Sequence, residues 1–535
     1  MKRLAIWLAV IGVSFPTVRA ADPIVPVVEL RVKAINDLLG YAGYVGDMVG
    51  QEEQLEAAAG LAKAFTNKKG LEGFDTKRPI GLYAGVTKDV SDSPVIALVP
   101  VVDEATVLAF LKEKANLKWK KDGEVYEVAV PQVPQPVFFK FADGYLHATI
   151  GNKANLDRAL APKTVFAKES DAVLSLAIHL DRIPADVKKV LLGQVEFQLQ
   201  KHKDQMKDQE KSAAKRRMAA FAIDGTAAML KSILDDGKTF GLTLAVKPDA
   251  DELAVDIALT PKSGTPLAAA MAGAGRKASA TAGRVTSKNP ALSTSINFAL
   301  PDKWKEKLVP VVDDLLNEAE ASAEPAFAEY LKKILGSFEP TMKAGELDFA
   351  ITVNGPNDDG KHELMTFLKM KKGLDLIDAL KDFAKIFPAS FIEPKFDTAT
   401  VNKVGVHSMT VHENPDDIVR MFGSNKIWMG TGEEMLAFSF EPEAKGLKKA
   451  LAEPTKSDAV LSAEFAVARL AVMTAEGDHK PKLQKMVKEI FGSTPTAGND
   501  TVKLTVISGD AVTIRLTAKG KGLKTLAAID KAKKE

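Results

Sequence analysis

Ser170-Asp171-Ala172-Val173-Leu174-Ser175 recurs 287 positions later as Ser457-Asp458-Ala459-Val460-Leu461-Ser462. Six identical residues can recur by chance, so the flanks decide. Upstream of the first copy, Phe138-Phe139-Lys140-Phe141 passes through Asp143-Gly144 into Tyr145-Leu146-His147-Ala148-Thr149-Ile150, followed by a helical turn at Asn155 to Ala161. Upstream of the second, Ile427-Trp428-Met429 passes through Gly430-Thr431-Gly432 into Met435 to Phe440, and Gly446 to Ala452 follows. Turn residues between short apolar runs predict a hairpin in each case.

The correspondence extends outward. Ile80, Leu82, Ala84 and Val86 alternate along one strand, and Leu347, Phe349, Ile351 and Val353 repeat the pattern 267 positions later. Val95 to Val101 matches Leu364 to Met370, and each precedes a helix. Those helices carry Val107, Phe110 and Leu111, and Ile377, Leu380 and Phe387, each set on one helical face. Each copy ends in a hairpin, with Val255, Ile257 and Leu259 matching Val512, Ile514 and Leu516 at an offset of 257. Shared order over this length predicts a tandem domain duplication and not a solenoid. The shifting offset places about 20 extra residues near Pro388 to Arg420 and about 30 between Pro184 and Asp236, where loops and helix ends tolerate insertion.

Residues 1–20 read as an export signal: Lys2 and Arg3, an apolar run from Leu4 to Phe15, then Val18-Arg19-Ala20. Cleavage is expected after Ala20, with Ala21 the alternative. A membrane anchor is the competing reading, but that run is shorter than the ~20 residues a span needs. Removing Lys2, Arg3 and Arg19 leaves 69 basic against 70 acidic residues, a balance of −1. Such a chain has no overall field to draw nucleic acid. There is no cysteine, so neither disulfides nor thiolate chemistry enter.

The expected architecture is α+β: residues 21–272 as a first copy, 273–290 as a linker, and 291–535 as a second copy. Each copy is read as about ten short strands in an antiparallel sheet with one face under helices. Copy one opens with a strand over Ile24 to Val32 and helices over Ala34 to Val49 and Glu52 to Phe65. Copy two opens with Ser293 to Phe298 and helices near Asp302 to Ala319 and Pro325 to Leu335. The small, basic stretch Gly273 to Gly283 reads as a linker, or else as an edge strand joining the halves.

The segment 184–236 is helical in pattern. Its ends carry core-type residues: Val187, Val190 and Leu191, then Met229, Leu230, Ile233 and Leu234. From Gln200 to Arg217 the only large apolar residue is Met206, among Lys201, Lys203, Lys207, Lys211, Lys215, Arg216 and Arg217 with Asp204, Asp208 and Glu210. A helix polar all round must project or be held by ion pairs. It is either a solvated extension or a partner-contact arm. No aromatic residues interleave with its cations, which argues against single-stranded nucleic acid.

No residue pattern announces catalysis. The seven histidines, His147, His179, His202, His362, His407, His412 and His479, lack metal-ligand spacing. His407 and His412 lie five apart on an expected strand and so face opposite sides. His147 and His179 are replaced near the matched positions by Ala437 and Ala466. The mature chain has neither a nucleophile elbow nor a phosphate loop. Gly430-Thr431-Gly432 reads as a hairpin turn and Gly520-Lys521-Gly522 as a strand-to-helix turn. Asp171 and Asp458 are read as strand-start residues making local backbone bonds. Pairs such as Asp235-Asp236 and Asp416-Asp417 acquire chemistry only if folding brings carboxylates together. No catalytic residue, cofactor or metal ligand is therefore assigned.

The phrases Arg78-Pro79-Ile80-Gly81, Val99-Pro100-Val101 and Phe141-Ala142-Asp143-Gly144-Tyr145 resemble those of uncharacterised exported bacterial proteins of the kind abundant in planctomycetes. The resemblance covers most of both copies and implies a secreted or periplasmic address, with no functional residue to carry over. The resulting expectation is an exported, non-enzymatic binding or scaffold protein of the cell envelope, its partner an envelope protein or ligand. Its contact surface would be the inter-domain groove or the charged arm. The alternatives are a hydrolase with dispersed carboxylates and a carrier of a hydrophobic ligand.

Overall fold

The computed structural model describes residues 23–49, 71–113, 116–130, 133–166, 171–209, 212–274, 279–285, 290–357, 359–386, 390–413, 415–453, 459–475, 479–493, 495 and 498–534. They form two compact units, Met1–Gln194 with Lys231–Ser263, and Val195–Leu230 with Gly264–Glu535. The fold is α+β, and the strand pairings within each unit are antiparallel. Ala20, Ala21, the expected helix from Glu52 to Phe65, Ser170, Ser457 and Asp458 lie outside the described residues.

The first unit holds β1 (Val28–Val32), β2 (Ile80–Ala84), β3 (Val95–Pro100), β4 (Trp119–Asp122), β5 (Val125–Val128), β6 (Val137–Ala142), β7 (Tyr145–Ile150), β8 (Leu174–His179), β9 (Gly237–Lys247) and β10 (Glu252–Pro261). Its pairing runs β4-β5-β6-β7-β3-β2-β1-β8-β9-β10. The β6–β7 hairpin turns at Asp143 and Gly144, whose φ angles of 53° and 70° define the primed turn that suits strand twist.

The second unit holds β11 (Pro290–Ala299), β12 (Glu346–Asn354), β13 (Glu363–Lys369), β14 (Ile392–Val401), β15 (Val404–Val411), β16 (Lys426–Gly432), β17 (Met435–Phe440), β18 (Leu461–Ala466), β19 (Thr501–Ile507) and β20 (Val512–Lys519). Its pairing runs β14-β15-β16-β17-β13-β12-β11-β18-β19-β20. The two orders match strand for strand. The repeated hexamer feeds β8 in one unit and β18 in the other, each lying between its unit's first strand and the final hairpin. The extra residues near 388–420 lengthen the β14–β15 hairpin and add the helix Asp416–Phe422.

Both faces of each sheet are covered at one end, not one face only. In the first unit Tyr83, Ile96, Leu98 and Phe138 pack on one side, and Val107, Phe139 and Leu146 on the other. In the second, Ala350, Phe367 and Ala437 meet Leu447 and Leu451, while Met429 and Leu436 meet Leu376 and Ile377. The alternating residues Ile80, Leu82 and Ala84 are only half-buried, and Tyr83 between them is fully buried. In the second unit the corresponding face keeps Phe298, Leu347, Phe465, Ile514 and Leu516 at 36–41% exposure. The registers put these five on one side of β11, β12, β18 and β20.

Three local expectations change. Gly430-Thr431-Gly432 is not a turn: all three residues belong to β16, and the chain reverses at Glu433-Glu434. A Cβ on Gly373, which opens the helix Gly373–Ala384, would lie 2.2 Å from the Gly432 carbonyl, so that helix packs directly against the end of β16. The stretch read as a linker is partly buried structure. Ser279, Thr281, Ala282, Gly283 and Val285 are buried, and Val285 joins a core cluster with Ala350 and Phe367. Small residues suggested a flexible tether; here their size lets the backbone pack closely, with Asp348 accepting from Ser279 Oγ, Ala280 N and Thr281 Oγ1. Finally, Val190, Leu191 and Met229 are exposed at 61%, 40% and 55%; helical periodicity gives a face but not what covers it.

A charged helical hairpin and its groove

Segment 184–236 forms two helices, Ala185–Gln209 and Ala213–Asp236. The return into β9 is sharp. A Cβ on Gly237 would meet the Ile233 carbonyl at 2.3 Å and the Leu180 side chain at 2.6 Å, so a residue with no Cβ is required. At the base, Lys188 donates to the Leu234 carbonyl at 2.5 Å, and its burial, helped by Lys262, pulls its pKa below the usual lysine range.

Ion pairs hold the helix that lacks an apolar face. Lys203 Nζ reaches Asp224 Oδ1 at 2.8 Å across the hairpin, and Gln200 donates to Asp204 at 3.0 Å. Arg217 pairs with Asp314 at 2.9 Å on the helix Asp302–Ala321. Glu318, one turn further along that helix, accepts from the Ser212 hydroxyl at 2.7 Å and the Ala214 amide at 3.4 Å. Phe221 meets Trp304 edge to face, with centroids 5.4 Å apart. These contacts lie within the second compact unit. The arm expected to reach for another molecule is thus anchored within its own chain.

The sequence-selected cations divide accordingly. Lys203, Arg216 and Arg217 line a groove of about 400 Å³ together with Met206, Ala213, Ala219, Ala220 and Ile223. Lys201 and Lys215 are exposed. Lys207 belongs to the first helix, and Lys211 lies outside the described residues. The same segment exposes Phe197, Met218 and Met229 at 67%, 46% and 55%. Their exposure had no signal in the sequence, because the apolar content alone reads as core.

Other polar clusters resolve into structure. His407, fully enclosed, accepts the Asp397 amide on Nδ1 at 2.9 Å and lies 2.9 Å from Thr431 Oγ1 through Nε2. That arrangement puts the proton on Nε2, which gives it to the hydroxyl and so cannot act as the base that activates it. Glu363 has its pKa raised by partial desolvation and then by the charge of Glu441, but the residue is exposed at the surface and not set in a pocket wall. Glu441, however, is committed to the Ser439 hydroxyl and the Gly446 and Leu447 amides at 2.8–2.9 Å, capping the helix Lys445–Ala452. Among the described residues no group of three or more His, Cys, Asp or Glu is placed to hold a metal ion. No described helix is long and apolar enough to cross a membrane.

No family model matches the chain, and no curated protein does. Among solved structures, crystal form I of TP0453 is similar over 44% of this chain and 76% of that one, at 8% identity and a TM-score of 0.20. A likeness that loose carries no argument about fold or role.

Proposed function

We propose that the protein is an exported, non-enzymatic binding or scaffold component of the cell envelope that docks an acidic helical segment of another envelope protein on the hairpin groove. The observation behind this reading is the groove that Lys203, Arg216 and Arg217 line together with Met206, Ile223 and three alanines. Residues 200–217 carry seven basic and three acidic side chains, a local balance of +4 within a mature chain near neutrality. Charge complementarity therefore selects an acidic partner. The groove cations' existing ion pairs are surface pairs, worth about 0–1 kcal/mol each, which a partner's carboxylates can displace. The shared strand order of the two units also supports descent by duplication of one segment.

The experiment places a photo-crosslinking residue at Ala219 in the full chain expressed in its own envelope. Capture of an acidic protein, lost when Lys203, Arg216 and Arg217 are changed to Glu, supports the proposal. Retention of the crosslink in that variant, or capture of anionic lipid in place of protein, overturns it.

A second reading has its own observation. The half-exposed face bearing Phe298, Leu347, Phe465, Ile514 and Leu516 suits a hydrophobic ligand. Saturable uptake of a fluorescent fatty acid, weakened by Phe465→Ser, favours a carrier; uptake indifferent to that change removes this reading.

A further inference from the structure

The helices Ala213–Asp236 and Asp302–Ala321 run antiparallel where they meet, because their contacts step in opposite directions. Phe221 meets Trp304, and a Cβ on Gly225 would stand 3.7 Å from the same ring. Arg217 then meets Asp314, and Ser212 and Ala214 meet Glu318. Trp304, Asp314 and Glu318 recur at spacings of ten and four, which a 3.6-residue turn puts on one side of the helix.

From Leu308 to Ala321 that helix carries Asp313, Asp314, Glu318 and Glu320 and no basic residue. It is itself an acidic helical segment lying against the cationic hairpin. Its acids divide by side. Asp313 and Glu320 are taken by Lys343 and Lys332 of the following helix, Pro325–Lys343, at 2.5 and 3.4 Å. Asp314 and Glu318 are left for the hairpin. Arg217 serves two neighbours: it lines the groove, and its Nε stands 2.9 Å from Asp314 Oδ2. That pair is close but poorly aligned, since the oxygen is buried and receives no hydrogen bond. The Arg217 side chain is 56% exposed, so a molecule in the groove can reach it.

We infer that Asp314 is a built-in competitor for the groove: it holds Arg217 until the carboxylate of a docked acidic segment takes the guanidinium over. This rests on the docking reading and states how that same site is regulated. Two effects act together. Asp314 cancels charge that the groove offers, and its own charge repels an incoming carboxylate. A partner carboxylate that engages Arg217 through two N–H groups gains the directed bonds that Asp314 Oδ2 lacks. The exchange is reciprocal. A partner that takes Arg217 loosens the hairpin from the helix Asp302–Ala321, and a firmly held hairpin binds the partner less tightly. The helix itself stays in place, since Lys343 and Lys332 hold its other side. Glu318 supplies the contrast: it holds the Ser212 hydroxyl and the Ala214 amide, neither of them a groove cation.

The test titrates the full chain with a fluorescent helical peptide of Glu and Ala, read by anisotropy, with a urea midpoint taken on each variant to verify folding. Asp314→Asn keeps the shape and removes the charge, and should tighten binding by up to about fivefold, the worth of one surface ion pair. Asp314→Ser is a second variant with the same expectation. Glu318→Gln loosens the same helix contact without touching Arg217 and should leave the affinity unchanged. Those results together support the inference. Equal affinity in the wild type and the Asp314 variants overturns it and leaves the docking reading standing. Equal tightening by the Asp314 and Glu318 variants also overturns it, because loosening of the hairpin, and not competition for Arg217, is then the cause. A peptide bound by none of these proteins sinks the docking reading and this inference with it.

Discussion

Asp348, buried in the middle of the second unit's sheet, accepts the Ser279 hydroxyl at 2.6 Å. The same carboxylate takes the Ala280 amide at 2.7 Å and the Thr281 hydroxyl at 2.5 Å. One strand residue thereby fixes a segment 67 to 69 positions earlier. Asp348→Ala removes three hydrogen bonds, two of them from buried hydroxyls, and should destabilise the second unit by about 3 kcal/mol. Asp348→Asn, which keeps an acceptor, should cost less. Urea unfolding of both variants checks this; equal stabilities would show that the segment is held by packing alone.

The Arg469–Asp500 pair is almost fully enclosed, at 3% and 0% side-chain exposure. Arg469→Met should cost about 3–5 kcal/mol because it strands a buried carboxylate. The double change Arg469→Met with Asp500→Leu should recover most of the loss. A double variant no better than the single one would mean that the backbone bonds to Asp500, from Val467 and Arg469, matter more than the charge pair.

Acid should weaken the fold before carboxylates titrate. Burial is the first cause lowering the pKa of His147, His362 and His407 from 6.5, opposed at His407 by Asp397. The unfolded chain then binds more protons than the folded one, so stability is complete above the ordinary histidine pKa and falls as pH drops through it. Exposed carboxylates such as Asp382 and Glu393, lowered from 3.8 and 4.5 by lysine partners, add their losses only further down. Urea midpoints should therefore decline between about pH 7 and about pH 5, and His407→Gln should flatten part of that slope. A flat profile over this interval would contradict the burial argument.

Phe221 and Trp304 report on the hairpin's anchoring. Phe221→Ala should cost about 1 kcal/mol at this contact, shift Trp304 emission and hasten tryptic cleavage near Arg216 and Arg217. Unchanged cleavage would locate the anchoring in Arg217–Asp314 and Ser212–Glu318 instead.

Export predicts a mature protein beginning at Ala21 or Asp22, following cleavage after Ala20 or Ala21. N-terminal sequencing of protein recovered from the envelope reads this directly, and an intact Met1 would remove the export premise.

Much of the fold was legible because its code is local. Strand alternation, the Asp143-Gly144 turn and the helices of 184–236 each depend on neighbours within a few residues. The misreadings share a cause. Gly430-Thr431-Gly432 has turn composition but is held extended by pairing with β15 and β17. The stretch Ser279 to Val285 has linker composition but is fixed by Asp348 and by the cluster that takes Val285. Val190 and Met229 have core composition but stand exposed.

For the sites the division is sharper. Sequence alone singled out the hairpin's cations, because a polar stretch between apolar ends is a local anomaly. It could not give the Lys203–Asp224 and Arg217–Asp314 pairs. The amino-acid order determined the elements and their repeated succession, since backbone propensity and periodicity act over one or two turns. Tertiary structure alone decided which polar groups are buried, paired or left open, since that depends on residues distant in the chain coming within about 3 Å of one another.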